Sequence, residues 1–135
     1  VSNLQYTKLI EDFCADCGMD PALLMDGGPI GIDGVNFSLV FNESVDPDLL
    51  FIYCVFGEIE AGKGLEVYRN LLKTNMYLYD GAGPVFTLCS LTGRVILARH
   101  CRLDQLGVKE LSEILTTDTT QAKTWQAEYL TLVAQ

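Results

Sequence analysis

Residues 49–67 read LLFIYCVFGEIEAGKGLEV. An unbroken apolar run from Leu49 to Phe56 ends in Gly57. Four residues intervene before Gly62, Lys63 and Gly64, and then comes a stretch with helical spacing. The pattern lies one residue away from the G-x-x-x-x-G-K-[ST] loop that cradles nucleotide phosphates between a strand and a helix. Read as that loop, it demands a parallel sheet built from repeated strand–helix units; read as a turn, it leaves Leu49–Phe56 free to sit in an antiparallel sheet. Local chemistry favours the turn. Gly64 stands where a hydroxyl should bind magnesium, and Glu58 and Glu60 put carboxylates where phosphate would lie. MYLYD (76–80) imitates the apolar-run-plus-Asp magnesium motif, but it falls at a helix end. No nucleotide and no other cofactor is expected.

Working outward, Leu49–Phe56 reads as a central strand covered on both faces, being apolar at every position. Before it, Val35, Phe37, Leu39 and Phe41 alternate with Asn36, Ser38 and Asn42, the pattern of a strand with one buried face. Asp33-Gly34 is a hairpin signal that joins this strand to a brief Ile30-Gly31-Ile32. The change of pattern from helix to strand falls at Gly27. After Gly64, Leu65 to about Tyr79 reads as a helix broken by Gly81-Ala82-Gly83-Pro84. Val85–Leu91 and Arg94–Leu103 are strand-like runs separated by Thr92-Gly93, a second hairpin.

The two ends of the chain are helical. Tyr6, Leu9, Ile10, Phe13, Cys14 and Cys17 repeat at helical spacing, with Ser2 or Asn3 as N-cap and Gly18 as stop. Asp20-Pro21 starts a further short turn of helix through Leu24. Val108, Leu111, Leu115, Ala122, Trp125, Tyr129 and Leu132 form a final stripe at uninterrupted helical period. The threonine-rich TTDTT (116–120) has poor helix propensity and leaves room for a bend or fraying, but the stripe resumes in phase beyond it. The order is helix, three strands, helix, two strands, helix. Hairpins dominate, so the class is α+β with a mostly antiparallel five-stranded sheet, in one domain over 1–135.

Composition excludes several functions. The 135 residues carry a net charge of −9, with nine Lys and Arg in all, so the basic footprint of a nucleic-acid binder is missing. Acidity also argues against anionic membranes, no apolar run is long enough to span a bilayer, and no basic-then-apolar leader opens the chain, so a cytoplasmic protein is expected. The five cysteines read as reduced, small core residues. Cys14-Ala-Asp-Cys17 has C-x-x-C spacing, yet it falls at a helix C-terminus among Asp12, Asp16 and Asp20, all of which disfavour thiolate. His100 is the only histidine; Cys101 points to the opposite face of the same strand, so the two cannot form a nucleophile pair. No metal site and no enzyme activity are expected.

The strands, by contrast, carry more apolar surface than three helices can cover. Three stripes cover roughly one face of a five-stranded sheet, so the remaining face is expected to meet a second subunit or a partner chain.

These stretches together resemble the class I type III secretion chaperones, the Tir-chaperone family of Gram-negative bacteria. The amphipathic first helix is followed by GPIGIDGVNFSLVF (28–41), the third strand closes on VFGEI (55–59), and LLKTN (71–75) lies in the second helix. VFTLCSLTGRVILARHCRL (85–103) supplies the last two strands, and KELSEIL (109–115) with AKTWQAEYL (122–130) the final helix. The short first strand and TTDTT depart from the family pattern. The resemblance implies a small acidic homodimer, paired through the second helix and fourth strand. It would hold the N-terminal segment of a secreted effector in extended form. Tyr6, Ile10, Val35, Phe37, Leu39, Phe41, Phe51, Tyr53 and Val55 are then the candidates for the client surface. Tyr68, Leu71, Leu72, Phe86, Leu88 and Leu91 are those for the dimer. Three alternatives stay open: a dimeric adaptor for a regulator or secretion component, a small-ligand-binding domain with an apolar sheet pocket, and a thiol or metal protein using Cys14 and Cys17.

Overall fold

A computed structural model of the chain describes residues 2–25, 29–78, 83–128 and 130–131. Helix α1 (Ser2–Cys17) buries Tyr6, Leu9, Ile10, Phe13 and Cys14, the i, i+3, i+4, i+7 stripe of an amphipathic helix. It stops at Gly18, whose φ of 72° lets the Met19 amide reach back to the Cys14 carbonyl at 2.9 Å, a Schellman closure. Asp20 then caps α2 (Pro21–Met25) by accepting a bond from the Ala22 amide, and α2 buries Leu24.

The sheet is antiparallel throughout its main path. Strands β1 (Ile30–Ile32), β2 (Val35–Val40), β3 (Leu49–Ile59), β4 (Val85–Leu88) and β5 (Val95–Arg102) lie in the order β1-β2-β3-β5-β4. Asp33 and Gly34, both with positive φ, form the two-residue mirror turn between β1 and β2. The turn between β4 and β5 is longer than the Thr92-Gly93 spacing suggests. The Cys89 amide donates to the Arg94 carbonyl and the Gly93 amide to that of Cys89, so β4 ends at Leu88 and Leu91 stands at the loop tip. Here Gly93 is the one left-handed residue among 89–94, whereas the two-residue mirror turn needs two in succession.

Helix α3 (Gly64–Leu78) packs beside β4 through Val67 and Leu71. After β5 a single 3-10 turn (Leu103–Gln105) leads into α4 (Val108–Glu128), which crosses β3 and β2 and also meets α1. The TTDTT segment neither bends nor frays α4. The hydroxyls of Thr119, Thr120 and Thr124 donate to the carbonyls one turn back, and Asp118 and Thr119 are buried, so side-chain bonds and packing override the low propensity. A two-residue β6 (Leu130–Thr131) pairs with Ile59 and Glu58 at the end of β3, a strand that the helical reading of the terminus missed. Tyr79, Tyr129 and Leu132, Ser2 and Asn3 as N-caps, the change of pattern at Gly27 and the break at 81–82 fall on residues or side chains outside those described.

The core lies between the sheet and helices α1 and α4. Phe37, Leu39, Leu50, Ile52, Cys54, Phe56, Val95 and Leu97 are fully buried there, and Phe56, Phe86 and Trp125 form an aromatic cluster with centroids 5.0–6.4 Å apart. Strand β3 is covered on one face and not on both. Leu50, Ile52, Cys54 and Phe56 lie under the helices, while Phe51, Tyr53 and Val55 stay half-exposed.

Candidate functional site

Register fixes what the uncovered face presents. Phe51, Tyr53 and Val55 of β3 stand opposite His100, Ala98 and Ile96 of β5, and opposite Val40, Ser38 and Asn36 of β2; Val85 and Thr87 of β4 extend the last two rows. Cross-strand partners share a face. The outcome is an apolar centre of Phe51, Tyr53, Val55, Ile96, Ala98 and Val85, rimmed by Asn36, Ser38, Thr87 and His100. A shallow concavity runs between Phe51, Tyr53, Val85, Ala98 and His100. His100 is exposed at its edge, its ring 6.3 Å from that of Phe51.

The same register divides the residues singled out for a partner. Leu39 pairs with Ile52 and Phe37 with Cys54, so Val35, Phe37 and Leu39 share the covered face with the even-numbered residues of β3. They cannot join Phe51, Tyr53 and Val55 in one patch. Alternation along each strand is right, but a one-residue offset between strands puts a whole set on the other side. Val35, Phe37 and Leu39 are core, as are Tyr6 and Ile10, and none offers surface to a second chain. Phe41 is half-buried, stacked on Tyr6 at 4.7 Å. Phe51, Tyr53 and Val55 keep accessible surface.

A second apolar surface lies on α3. Val67 and Leu71 face inward, while Leu65, Tyr68, Leu72 and Met76 follow one another at spacings of three and four on the opposite side. Leu72 is 71 % exposed and Met76 77 %. On the neighbouring β4, which packs against α3, Leu88 is also exposed, as is Leu91 at the turn tip, whereas the exposed Val85 turns to the other face with Ala98 and Tyr53. Of the residues proposed for self-association, Tyr68, Leu72, Leu88 and Leu91 are thus on the surface, whereas Leu71 and Phe86 are buried and hold α3 and β4 to the sheet. The exposed Leu65 and Met76, which continue the same stripe, were not singled out from the sequence. A helix with an apolar stripe on each side was the available signal.

One charged pair sits in the interior. Asp118, 1 % exposed, accepts a 2.6 Å bond from Arg99 across β5 and α4. Burial raises the Asp118 carboxyl above its ordinary range, and Arg99 opposes that rise. Its second oxygen and the Arg99 Nε have no partner among the described residues. Asp118 continues the Leu111–Leu115–Ala122 stripe, so a carboxylate on an apolar face was visible in the sequence as a sign of a buried partner.

The phosphate-loop mimic is a structural latch. Lys63 lies 3.3 Å from Glu60 and donates at 2.8 Å to the Glu128 carbonyl, capping the C-terminus of α4. Gln126 donates at 2.8 Å to the Phe56 carbonyl, beside the bulge where Gly57 adopts a φ of 139°. In the C-x-x-C pair, Cys14 is buried and Cys17 exposed. Burial pushes both thiols up, and the negative charge of Asp20 and Asp16 respectively adds to it. Among the described residues no helix is long and apolar enough to cross a membrane.

Comparison with known proteins bears on the family and the fold. The family model described as Tir chaperone protein (CesT) family matches residues 8–126. Among solved structures, the chain resembles the ExsC–ExsE complex at a TM-score of 0.74 and 19% identity, covering 95% of this chain and 96% of that one. It resembles the HopA1–SchA chaperone–effector complex at 0.71 and 19%, covering 93% and 96%. The Yersinia pestis type III secretion chaperone SycH, solved with a stable fragment of YscM2, gives 0.67 and 20%, covering 88% and 98%. No curated protein sequence matches the chain. At these identities the structural likeness establishes the shared α+β fold.

Proposed function

The chain belongs to the Tir chaperone (CesT) family, and from that premise we propose that it is a type III secretion chaperone. It binds the N-terminal segment of a secreted effector in extended form and keeps it soluble and ready for export. It does so without catalysis, in the bacterial cytoplasm, as a homodimer. The observation that carries this reading is the sheet face bearing Phe51, Tyr53, Val55, Ile96, Ala98 and Val85, apolar and without a helix above it. An extended segment laid on such a face removes apolar area from water, at about 25 cal/mol per Å2, and main-chain bonds at a sheet edge fix its course. The stripe of Leu65, Tyr68, Leu72 and Met76 supports pairing of two copies through α3 and β4. The net charge of −9 keeps a dimer with such surfaces in solution.

Light scattering coupled to size exclusion, on protein purified from its native host, tests the proposal. The expected particle is two copies of the 14.9 kDa chain carrying a larger protein whose N-terminal segment is protected from proteolysis. A clean monomer with nothing bound overturns it.

A further inference from the structure

Every open sheet has two lateral edges, and here they are treated differently. At one edge, β4 is paired with β5 on its inner side. The Cys89 amide donates to the Arg94 carbonyl just before β5, so by the alternation of an antiparallel ladder Phe86 and Leu88 turn their amides and carbonyls outward. Those are the groups an added strand would use. At Phe86 they are already taken. Asn75 of α3 accepts from the Phe86 amide through Oδ1 at 2.6 Å and donates through Nδ2 to the Phe86 carbonyl at 3.1 Å. One side-chain amide thereby makes the two bonds that a neighbouring strand residue would make.

The opposite edge has no such device. The two-residue turn makes Ile32 and Val35 a bonded pair, which leaves the backbone of the exposed Gly31 facing outward from β1. Among the described residues no side chain makes the corresponding bonds there.

We infer that Asn75 is an edge plug: by occupying both hydrogen-bonding groups of Phe86, it bars the β4 edge to a strand from another chain. The plug also sets how two copies can meet on this side. They are kept to side-chain packing of α3 and β4 and cannot fuse their sheets into one, which is the hazard of an unprotected edge strand. For a client, the consequence rests on the chaperone reading: strand addition is left to β1. A chain that is plugged yet holds no client would end that reading and leave the plug standing.

The test uses the purified full chain. In the unsubstituted protein, the Phe86 amide is expected to exchange slowly with deuterium although it faces away from β5; exchange at the rate of a free amide overturns the inference. In Asn75→Ala, exchange at Phe86 is expected to accelerate by about tenfold. Species larger than the parent's should appear with rising concentration, with added strand signal in the infrared. A second substitution, Thr87→Lys, puts a charge on the same edge and should abolish those species, a rescue that a merely loosened α3 would not show. An Asn75→Ala chain that assembles as the parent does, one that simply melts without assembling, or larger species indifferent to Thr87→Lys each overturn the plug and leave Asn75 a tether of α3.

Discussion

On one side of the sheet, Phe37, Leu39, Ile52, Cys54, Phe56 and Leu97 lie under helices; on the other, Phe51, Tyr53, Val55, Ile96 and Ala98 have the same apolar character and, among the described residues, no helix above them. Composition does not separate the two sets. What separates them is which one the stripes of α1 and α4 can reach, and that is decided by strand register and by where the chain re-enters after β5. The covered set holds the fold together; the uncovered set is available for work on another molecule. Substitutions that treat the two alike in chemistry should therefore differ sharply in outcome.

The largest contrast is at Leu39. Leu39→Asp puts a carboxylate into the core and is expected to cost more than about 4 kcal/mol, enough to unfold a typical domain. Circular dichroism and a thermal melt would read this directly. A folded variant that had lost only partner binding would mean that the faces are assigned the wrong way round.

Next comes the buried pair on the covered side. Arg99→Leu strands Asp118 in the interior and should cost about 3–5 kcal/mol, while the double variant Arg99→Leu, Asp118→Leu should regain most of it. Acid sharpens this prediction. Burial raises the Asp118 carboxyl, and removing Arg99 takes away the influence that opposes the rise. The folded state then holds a proton that the unfolded state has released, so this group's contribution to stability improves as pH falls from neutral through the raised value. Denaturant melts between neutral and mildly acidic pH would show Arg99→Leu recovering relative to its parent; a falling difference in stability on going the other way, toward alkali, would contradict it.

On the uncovered side, Tyr53→Asp should leave the melting curve within about 1 kcal/mol of the parent. Under the proposed function it should weaken client binding by about tenfold or more, or roughly 1.4 kcal/mol. Leu72→Glu, on the outer stripe of α3, should change stability of the folded chain by less than about 0.5 kcal/mol and shift light scattering from dimer to monomer. Unfolding in either variant would show that these residues are internal.

The smallest effect is chemical. Cys89 sits at the turn after β4, where the Thr92 hydroxyl and the amides of Leu91 and Thr92 bond its sulfur and lower its thiol. Cys54 lies on the covered face, and burial, with the Asp118 charge, raises its thiol far above the usual range. Thiolate is the reactive form, so iodoacetamide at mildly alkaline pH should label Cys89 and spare Cys54 in the native state. Equal labelling would mean that the core opens as readily as its rim.

Much of this was legible in the sequence. The Gly57-to-Gly64 stretch declared its own chemistry through Glu58, Glu60 and Gly64, and with the nucleotide fold gone the hairpins at Asp33-Gly34 and before Arg94 led to an antiparallel α+β sheet. Alternation along β2 and β3 was equally plain. The offset between those strands was not, because it is set by a loop from Asn42 to Asp48 whose length leaves the pairing open, and so Val35, Phe37 and Leu39 were grouped with residues of the opposite face. At TTDTT the helical period was legible and the firmness of the helix was not, for a different reason. Propensity scales price isolated residues, whereas Thr119 and Asp118 are held by a carbonyl one turn back and by Arg99. The outer stripe of α3 was only half seen, since a helix with two apolar sides is read first by its deeper one.

Helix α4 has a consequence for the order of events during synthesis. Strands β2 and β3 leave the ribosome long before residues 108–128, yet Leu111, Leu115 and Ala122 are part of the roof over them, and Gln126 and Lys63 fasten that roof at the bulge of β3. Until the last helix has emerged, the nascent chain carries a second apolar face that α1 alone cannot roof, beside the one that stays bare in the finished protein. The protein is thus, for part of its own birth, in the position of the chains it is proposed to attend.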